Sequence, residues 1–300
     1  MRIGVDLGGT KTESVAIDDT GTERARLRVS TPSDGYDAII ASIVRLVRDT
    51  EACVRQTGTV GIGIPGAVSP ATGLVKNANT VALIGHPLDR DLARALDRPV
   101  RVANDANCFV LSEASDGAGA GARVVFGVIV GTGTGGGVVV DGKLLTGPHA
   151  IAGEWGHNPL PWPRDDERPG PPCYCGKSGC IETFLAGPSL ARDHRLHTGE
   201  TRNADDIAQR AEAGDAAALA SMIRYEDRMA RGLASIINLL DPDVIVMGGG
   251  VSNIARLYRE VPSRLGQYVF SDTVSTPIVP ARHGDSSGVR GAAWLWPLRD

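Results

Sequence analysis

The chain has 300 residues, of which 42% are hydrophobic and 22% charged, and its formal net charge is −4. That length allows two domains with separate cores, and the composition is that of a soluble globular protein. The negative charge excludes a global basic field that would draw the protein to nucleic acid or to an anionic membrane. The longest apolar stretch, Val124–Val130, is too short to span a bilayer. Arg2 leads into a glycine-broken strand rather than an apolar signal segment, so a cytoplasmic setting is expected.

Ile3, Val5 and Leu7 alternate with smaller or polar residues, as in a buried strand, and the strand runs into Gly8-Gly9-Thr10-Lys11-Thr12. Two glycines permit either a plain hairpin turn or a cradle whose backbone N–H groups receive phosphate. Asp6, near the strand's end, is placed to hold Mg²⁺ directly or through water. Residues 12–18 and 22–30 extend an antiparallel meander around the turn Asp18-Asp19-Thr20-Gly21. Apolar residues at Ile39, Ile40, Ile43, Val44, Leu46 and Val47 predict a helix over 36–51. A buried strand over 59–64 ends at Pro65-Gly66, and 74–83 reads as an irregular loop with Asn77 and Asn79. A helix over 88–96, a strand over 100–103 and a helix over 106–115 follow, and 117–121 reads as a boundary.

The opening pattern then returns. A strand over 124–130 meets a Gly/Thr turn over 131–137, which includes Gly131, Thr132 and Gly133, and a strand over 138–140 follows. Asp141-Gly142 is a hairpin signal. Two similar halves, each presenting a Gly/Thr turn, are consistent with one ligand held between them. Further on, 216–240 reads as a long amphipathic helix ended by Asp241-Pro242, and 244–247 as an apolar strand running into Gly248-Gly249-Gly250. Residues 253–268 and 286–296 read as helical. No P-loop motif is present, and the glycines at 131–136 precede a strand rather than a helix, which argues against a dinucleotide fold.

Three of the five cysteines, Cys173, Cys175 and Cys180, are clustered, so a metal site in a reducing compartment is expected rather than a disulfide framework. Zinc in a closed site takes four tetrahedral sulfur or imidazole ligands, and His157 is the natural fourth. Such a set leaves no open position, so the metal reads as structural, the alternative being buried unliganded thiols. Asn104-Asp105 ends a strand where α/β folds place ligand groups, although Asp105 reads equally as a helix N-cap. Asn79, Glu154 and Glu182 are polar residues in loop or glycine-rich settings and, taken singly, read as surface residues.

Together these motifs resemble the ROK family of bacterial sugar kinases and related repressors. The resemblance rests on Asp6-Leu-Gly-Gly-Thr-Lys-Thr12, Gly63-Ile-Pro-Gly66, Ala103-Asn-Asp-Ala-Asn107, Gly131-Thr-Gly133, Gly153-Glu-Trp-Gly-His157, the cluster from Cys173 to Glu182, and Gly248-Gly249-Gly250. It implies the actin-like, hexokinase-like ATPase fold, with two similar α/β domains and a ligand cleft between them. The expected division is a smaller domain over 1–118, joined by a C-terminal helix over 288–300, and a larger one over 119–287 carrying the zinc loop. The resemblance further implies an ATP-dependent hexose kinase. Asp105 matches the general base, and Asn104, Glu154, His157 and Glu182 match sugar contacts, with Gly66 and Asn79 close by. Asp6, Gly8, Gly9, Thr10, Lys11, Thr12, Gly131, Thr132 and Gly133 match the ATP and Mg²⁺ site, and Gly249 and Gly250 lie near the adenosine. His157 would serve both zinc and sugar, and a homodimer is implied.

Lys76-Asn-Ala-Asn79, the segment 155–162 and the segment 283–296 look most like the fructokinases (manno-fructokinases) of that family, so D-fructose is the expected substrate. N-acetylglucosamine kinases, glucokinases and mannokinases are the alternatives. A sugar-responsive repressor is disfavoured, because the first strand begins at Arg2 and no DNA-binding helix-turn-helix is read. An ATP-binding scaffold is disfavoured by Asn104, Asp105, Glu154 and Glu182.

Overall fold

The structure, a computed structural model, describes residues 1–297. The chain forms two compact units, the first built from Met1–Gly121, Val138–Ala152 and the chain from Arg282 onward, the second from Ala122–Gly137 and Gly153–Ala281. Residues 138–152 thus pack with the first unit, where the sequence reading places all of 119–287 in the second domain. One tie there is the Lys76 ammonium, which donates to the His149 carbonyl at 3.0 Å.

In the first unit, β1 (Arg2–Leu7), β2 (Lys11–Ile17), β3 (Glu23–Ser30), β4 (Thr59–Ile64) and β7 (Val100–Asn104) form one sheet in the order β3-β2-β1-β4-β7. A small ribbon of β5 (Ala67–Val68) and β6 (Val75–Lys76) lies between β4 and β7 in sequence. β1 pairs antiparallel with β2 and parallel with β4, and β4 pairs parallel with β7, which brings Ile64 level with Asn104. α1 (Tyr36–Val54) and α2 (Leu88–Leu96) cover one face, where Ile3, Val5, Ile39, Ile43, Leu46, Ile62 and Leu92 are buried together. α3 (Asp105–Asp116) follows β7 directly.

The C-terminal helix, Ser287–Trp294, packs against this sheet and α3; the last positions of the expected helix, 298–300, lie outside the described residues. The helix approaches the strands at backbone distance. A Cβ added at Gly61 would lie 1.8 Å from the Ala292 carbonyl oxygen, and one at Gly4 would lie 2.0 Å from that of Val289. Neither obstacle is a side chain that can swing away. Gly61→Ala should therefore cost about 3 kcal/mol or more, the upper part of the range for overpacking. A urea-unfolding midpoint equal to that of the parent protein would contradict this close approach.

The buried Glu113 of α3 fastens the same helix. Its carboxylate accepts from the backbone N–H groups of Ala118, Arg282 and His283 and from the Ser287 hydroxyl. Burial alone would raise its pKa, but these four bonds prevail and hold it below the ordinary carboxylate range.

The second sheet has the order β10-β9-β8-β11-β12, with β8 (Val124–Val130), β9 (Thr134–Val140), β10 (Lys143–Leu144), β11 (Val244–Gly248) and β12 (Ile278–Pro280). β9 starts at Thr134 and not at residue 138, so the second Gly/Thr turn is shorter than its sequence suggests. Gly135, Gly136 and Gly137 are extended because another segment lies against them: a Cβ at Gly136 would sit 2.8 Å from the Gly153 carbonyl and 2.9 Å from the Trp155 ring.

In the second unit, α7 (Ala216–Leu240) is capped by Asp215, which accepts from Ala217 N–H and Ala218 N–H. Its apolar stripe is only part of what it buries. Ile223 is exposed, while Glu226, Asp227, Arg228 and Arg231 are buried. The reason is charge pairing: Glu226 pairs with Arg256 and Arg264, and the others join an ion network with the loop around Glu167. Arg231 donates to both carboxylate oxygens of Glu167 and to the carbonyls of Pro161 and Trp162, and Arg228 donates to Glu167 and Asp193. Burial opposes ionisation of Glu167, yet the two guanidinium groups bring its pKa down to about 2. The sequence over 253–268 is not one helix but two short turns, Leu257–Glu260 and Pro262–Leu265, because Pro262 has no N–H to continue the first.

Candidate active site

The opening turn is a hairpin, with Leu7 opposite Thr12 and the Gly8 N–H donating to the Lys11 carbonyl at 3.0 Å. Gly9, Thr10 and Lys11 are exposed at its tip. Thr31, just after β3, braces it: its hydroxyl donates to the Gly8 carbonyl and bonds the Thr12 hydroxyl at 2.8 Å, and its N–H donates to the Thr10 carbonyl. Asp6 sits just before this turn. Burial and the nearby charges of Asp105 and Glu13 push its carboxyl up to about 6, with Lys11 acting in the opposite direction. The buried thiol of Cys108 is raised further, by burial first and then by Asp6 and Asp105.

Asp105 stands at the first position of α3, at the end of β7. Asn104 is the N-cap: its side-chain oxygen accepts from Ala106 N–H at 2.9 Å and its amide donates to the Gly66 carbonyl at 3.2 Å. The cap reading of Asp105 therefore passes to its neighbour, although one Asp105 oxygen also receives Ala106 N–H at 2.8 Å. Asp105 is exposed as a residue, but protein atoms crowd its carboxyl, and this desolvation raises its pKa against the lowering effect of its hydrogen bonds. Gly66 is pressed against Ala78, 2.8 Å from where a Cβ would stand, and the exposed Asn79 is fixed by its own N–H to the Pro65 carbonyl. Asp6, Gly66, Asn79, Asn104 and Asp105 thus gather at the carboxyl ends of β1, β4 and β7 in the first unit.

In the second unit, residues 131–133 make a tight turn in which Gly131 N–H donates to the Gly133 carbonyl. Gly250 lies beside it, with a backbone nitrogen 3.9 Å from where a Gly131 Cβ would stand, and Gly249 adopts a φ of 82° that suits glycine. The segment 153–157 runs along β9. Trp155 is buried and donates from its indole to the Gly135 carbonyl, while a Cβ at Gly156 would collide with the Thr134 carbonyl. This packing aims the exposed Glu154 and the half-buried His157 away from the core. Glu182 opens α4 (Glu182–Leu185); its N–H donates to the Gly156 carbonyl and its carboxylate accepts from Thr134 N–H.

The ligand atoms of His157, Cys173, Cys175 and Cys180 all lie within 4.8 Å of one another. His157 Nδ1 is 3.6 Å from Cys173 Sγ, and the Cys175 and Cys180 sulfurs are also 3.6 Å apart. Burial and the adjoining thiols push the Cys180 thiol up to about 12, an environment that a bound cation would relieve. One imidazole and three thiols in a tetrahedral-sized cluster fit zinc. The other ring nitrogen of His157, Nε2, lies 2.9 Å from the Tyr174 hydroxyl. Burial and the charges of Glu182, Cys173 and Glu154 push that phenol up to about 12. Tyr174 escaped the sequence reading; its position between Cys173 and Cys175 is the signal that was available.

Two five-stranded sheets, each with a glycine-rich hairpin at a strand end, define an α/β ATPase of the actin-like, hexokinase-like fold. The ROK family model matches residues 2–299, and the chain belongs to the ROK family. It is 41% identical to the N-acetyl-D-glucosamine kinase of Vibrio cholerae, over 98% of this chain and 99% of that protein. It is 40% identical to the N-acetyl-D-glucosamine kinase of Pectobacterium atrosepticum, over 98% of each. Among solved structures it resembles a ROK hexokinase from Thermus thermophilus with a TM-score of 0.87 and 31% identity, over 98% of this chain and 96% of that one. A ROK family glucokinase from Streptomyces griseus, solved with glucose and AMPPNP, aligns with a TM-score of 0.76 and 28% identity over 98% of each chain. The protein is an ATP-dependent sugar kinase. These curated relatives are N-acetylglucosamine kinases, so they support the alternative and not the closeness to fructokinases expected from 76–79, 155–162 and 283–296.

Proposed function

We propose that this kinase transfers the γ-phosphoryl group of ATP to a hydroxyl of N-acetyl-D-glucosamine. The observation behind this reading is the identity of 40–41% to N-acetylglucosamine kinases along nearly the whole of both chains. In a coupled assay of ADP release, kcat/KM for N-acetylglucosamine should exceed that for fructose, glucose or mannose by about tenfold or more, since a site built to hydrogen-bond a substrate group rejects analogues that lack it. Equal or faster use of fructose would overturn the assignment.

In this reading Asp105 is the general base. Its raised pKa makes it a better proton acceptor than an ordinary carboxylate, and Asn104 orients it by capping the same helix turn. Asn104, Asn79, Gly66, Glu154, His157 and Glu182 are the sugar contacts of this reading. The amides at 8–12 and 131–133 receive phosphate, and Gly249 and Gly250 border the adenosine. Phosphoryl transfer needs alignment and charge neutralisation more than covalent help, which suits a site made of backbone amides and carboxylates. Asp6 would hold Mg²⁺, which supplies positive charge for the phosphates; a buried carboxylate beside a second acid fits such an ion. His157, Cys173, Cys175 and Cys180 would hold zinc, which cross-links the loop that presents His157 and Glu182. A cytoplasmic homodimer belongs to the same reading.

A further inference from the structure

Glu182 is assigned above to the sugar, yet its carboxylate also bonds the backbone of the second Gly/Thr turn. Oε2 accepts from Thr134 N–H at 2.9 Å, and a Cβ on Gly133 would stand only 2.7 Å from the same oxygen. The carboxylate therefore rests directly against the turn 131–133. A further bond stitches the two segments together: Gly187 N–H, at the start of the next helix, donates to the Gly131 carbonyl at 2.8 Å, while within the turn Gly131 N–H donates to the Gly133 carbonyl at 2.9 Å. On its other side Glu182 is anchored through its own N–H to the Gly156 carbonyl, and Cys180 Sγ, two residues earlier, donates to the His157 carbonyl at 3.6 Å.

We propose that Glu182 is a positioning residue for the nucleotide phosphates: its carboxylate fixes the turn 131–133 in the shape that receives them, so one side chain aligns donor and acceptor. The inference rests on the phosphate role proposed for that turn. A side-chain oxygen held at this reach restrains, by accepting from Thr134 N–H, a turn whose glycines have little conformational preference of their own. By linkage, a sugar that orders Glu182 strengthens nucleotide binding, and the nucleotide strengthens sugar binding by the same factor.

The experiment is calorimetric binding of AMPPNP without sugar to the parent protein, Glu182→Gln and Glu182→Asp, together with amide hydrogen exchange. Gln keeps the reach and an acceptor oxygen, so its AMPPNP affinity should stay within about threefold of the parent. Asp keeps the charge but withdraws the oxygen by one methylene; its affinity should fall about tenfold or more, the usual scale for losing a bond to a charged group. The Thr134 amide should exchange at least about tenfold faster in Asp than in Gln. Parent-like nucleotide affinity in the Asp variant, or unchanged exchange at Thr134, would overturn the proposal and leave Glu182 a sugar contact alone. Failure of the parent protein itself to bind AMPPNP would instead remove the phosphate role of the turn. Melting temperatures confirm that both variants are folded.

Discussion

Asp105→Asn should lower turnover by about 10²–10⁴, the usual contribution of a general base, while calorimetric sugar affinity stays near that of the parent. The substitution preserves shape and the acceptor for Ala106 N–H, so α3 should keep its first turn. It removes the capacity to take a proton, together with the negative charge that helps to raise the Asp6 carboxyl. A variant that phosphorylates sugar at close to the parent rate would show that Asp105 is not the base. The pH profile offers a second check. Desolvation raises the Asp105 pKa above that of an ordinary carboxylate, and the base acts only when ionised. Activity should therefore fall with decreasing pH before an unperturbed carboxylate would protonate, at about 4. In the Asn variant the residual activity should lose this limb. Asp6, which reaches about 6, protonates on the same side, so persistence of the limb in Asp105→Asn would assign it to Asp6.

Cys180→Ala should have the second-largest effect. Elemental analysis of the parent protein, purified without chelator, should find about one zinc per chain, and the variant should hold close to none. Cys180 is buried, and its neighbours Ile181 and Glu182 donate backbone N–H groups to Asn158 and Gly156. Loosening this residue would release Glu182 and His157 together, so kcat/KM for sugar should drop about 10–100-fold, as when the supports of a metal site are removed. A metal-free protein with full activity would refute the zinc assignment.

Asn104 and Asp105 were legible because a polar pair at the end of an apolar strand is a local signal. Which of the two caps the helix was not, since that depends on the Gly66 carbonyl waiting in the turn after β4. The Gly/Thr turn at 131–137 was legible as a turn, but its length was not. Gly135–137 look flexible in isolation but are extended as part of β9, beside β8 in the sheet, and Gly153 and Trp155 lie against Gly136. The single helix expected over 253–268 failed for a local reason, Pro262, that the apolar spacing had masked. The choice of sugar also escaped: short segments suggested fructose, while identity over the whole length favours N-acetylglucosamine.

What was readable without coordinates was set by forces acting over a few residues. Alternation places β1 and β4, helical spacing places α1 and α7, Asp141-Gly142 turns a hairpin, and Cys173, Cys175 and Cys180 lie close enough for one loop to converge them. What required the folded chain joins residues far apart in sequence. Glu113 collects Arg282, His283 and Ser287, Arg231 clamps Glu167, and Gly61 admits the Ala292 carbonyl. A buried charge or a missing Cβ leaves no periodic trace, because its reason is a partner whose distance along the chain has no fixed value. Glu182 belongs to both kinds: its place after the cysteines is local, and its hold on Thr134 is not.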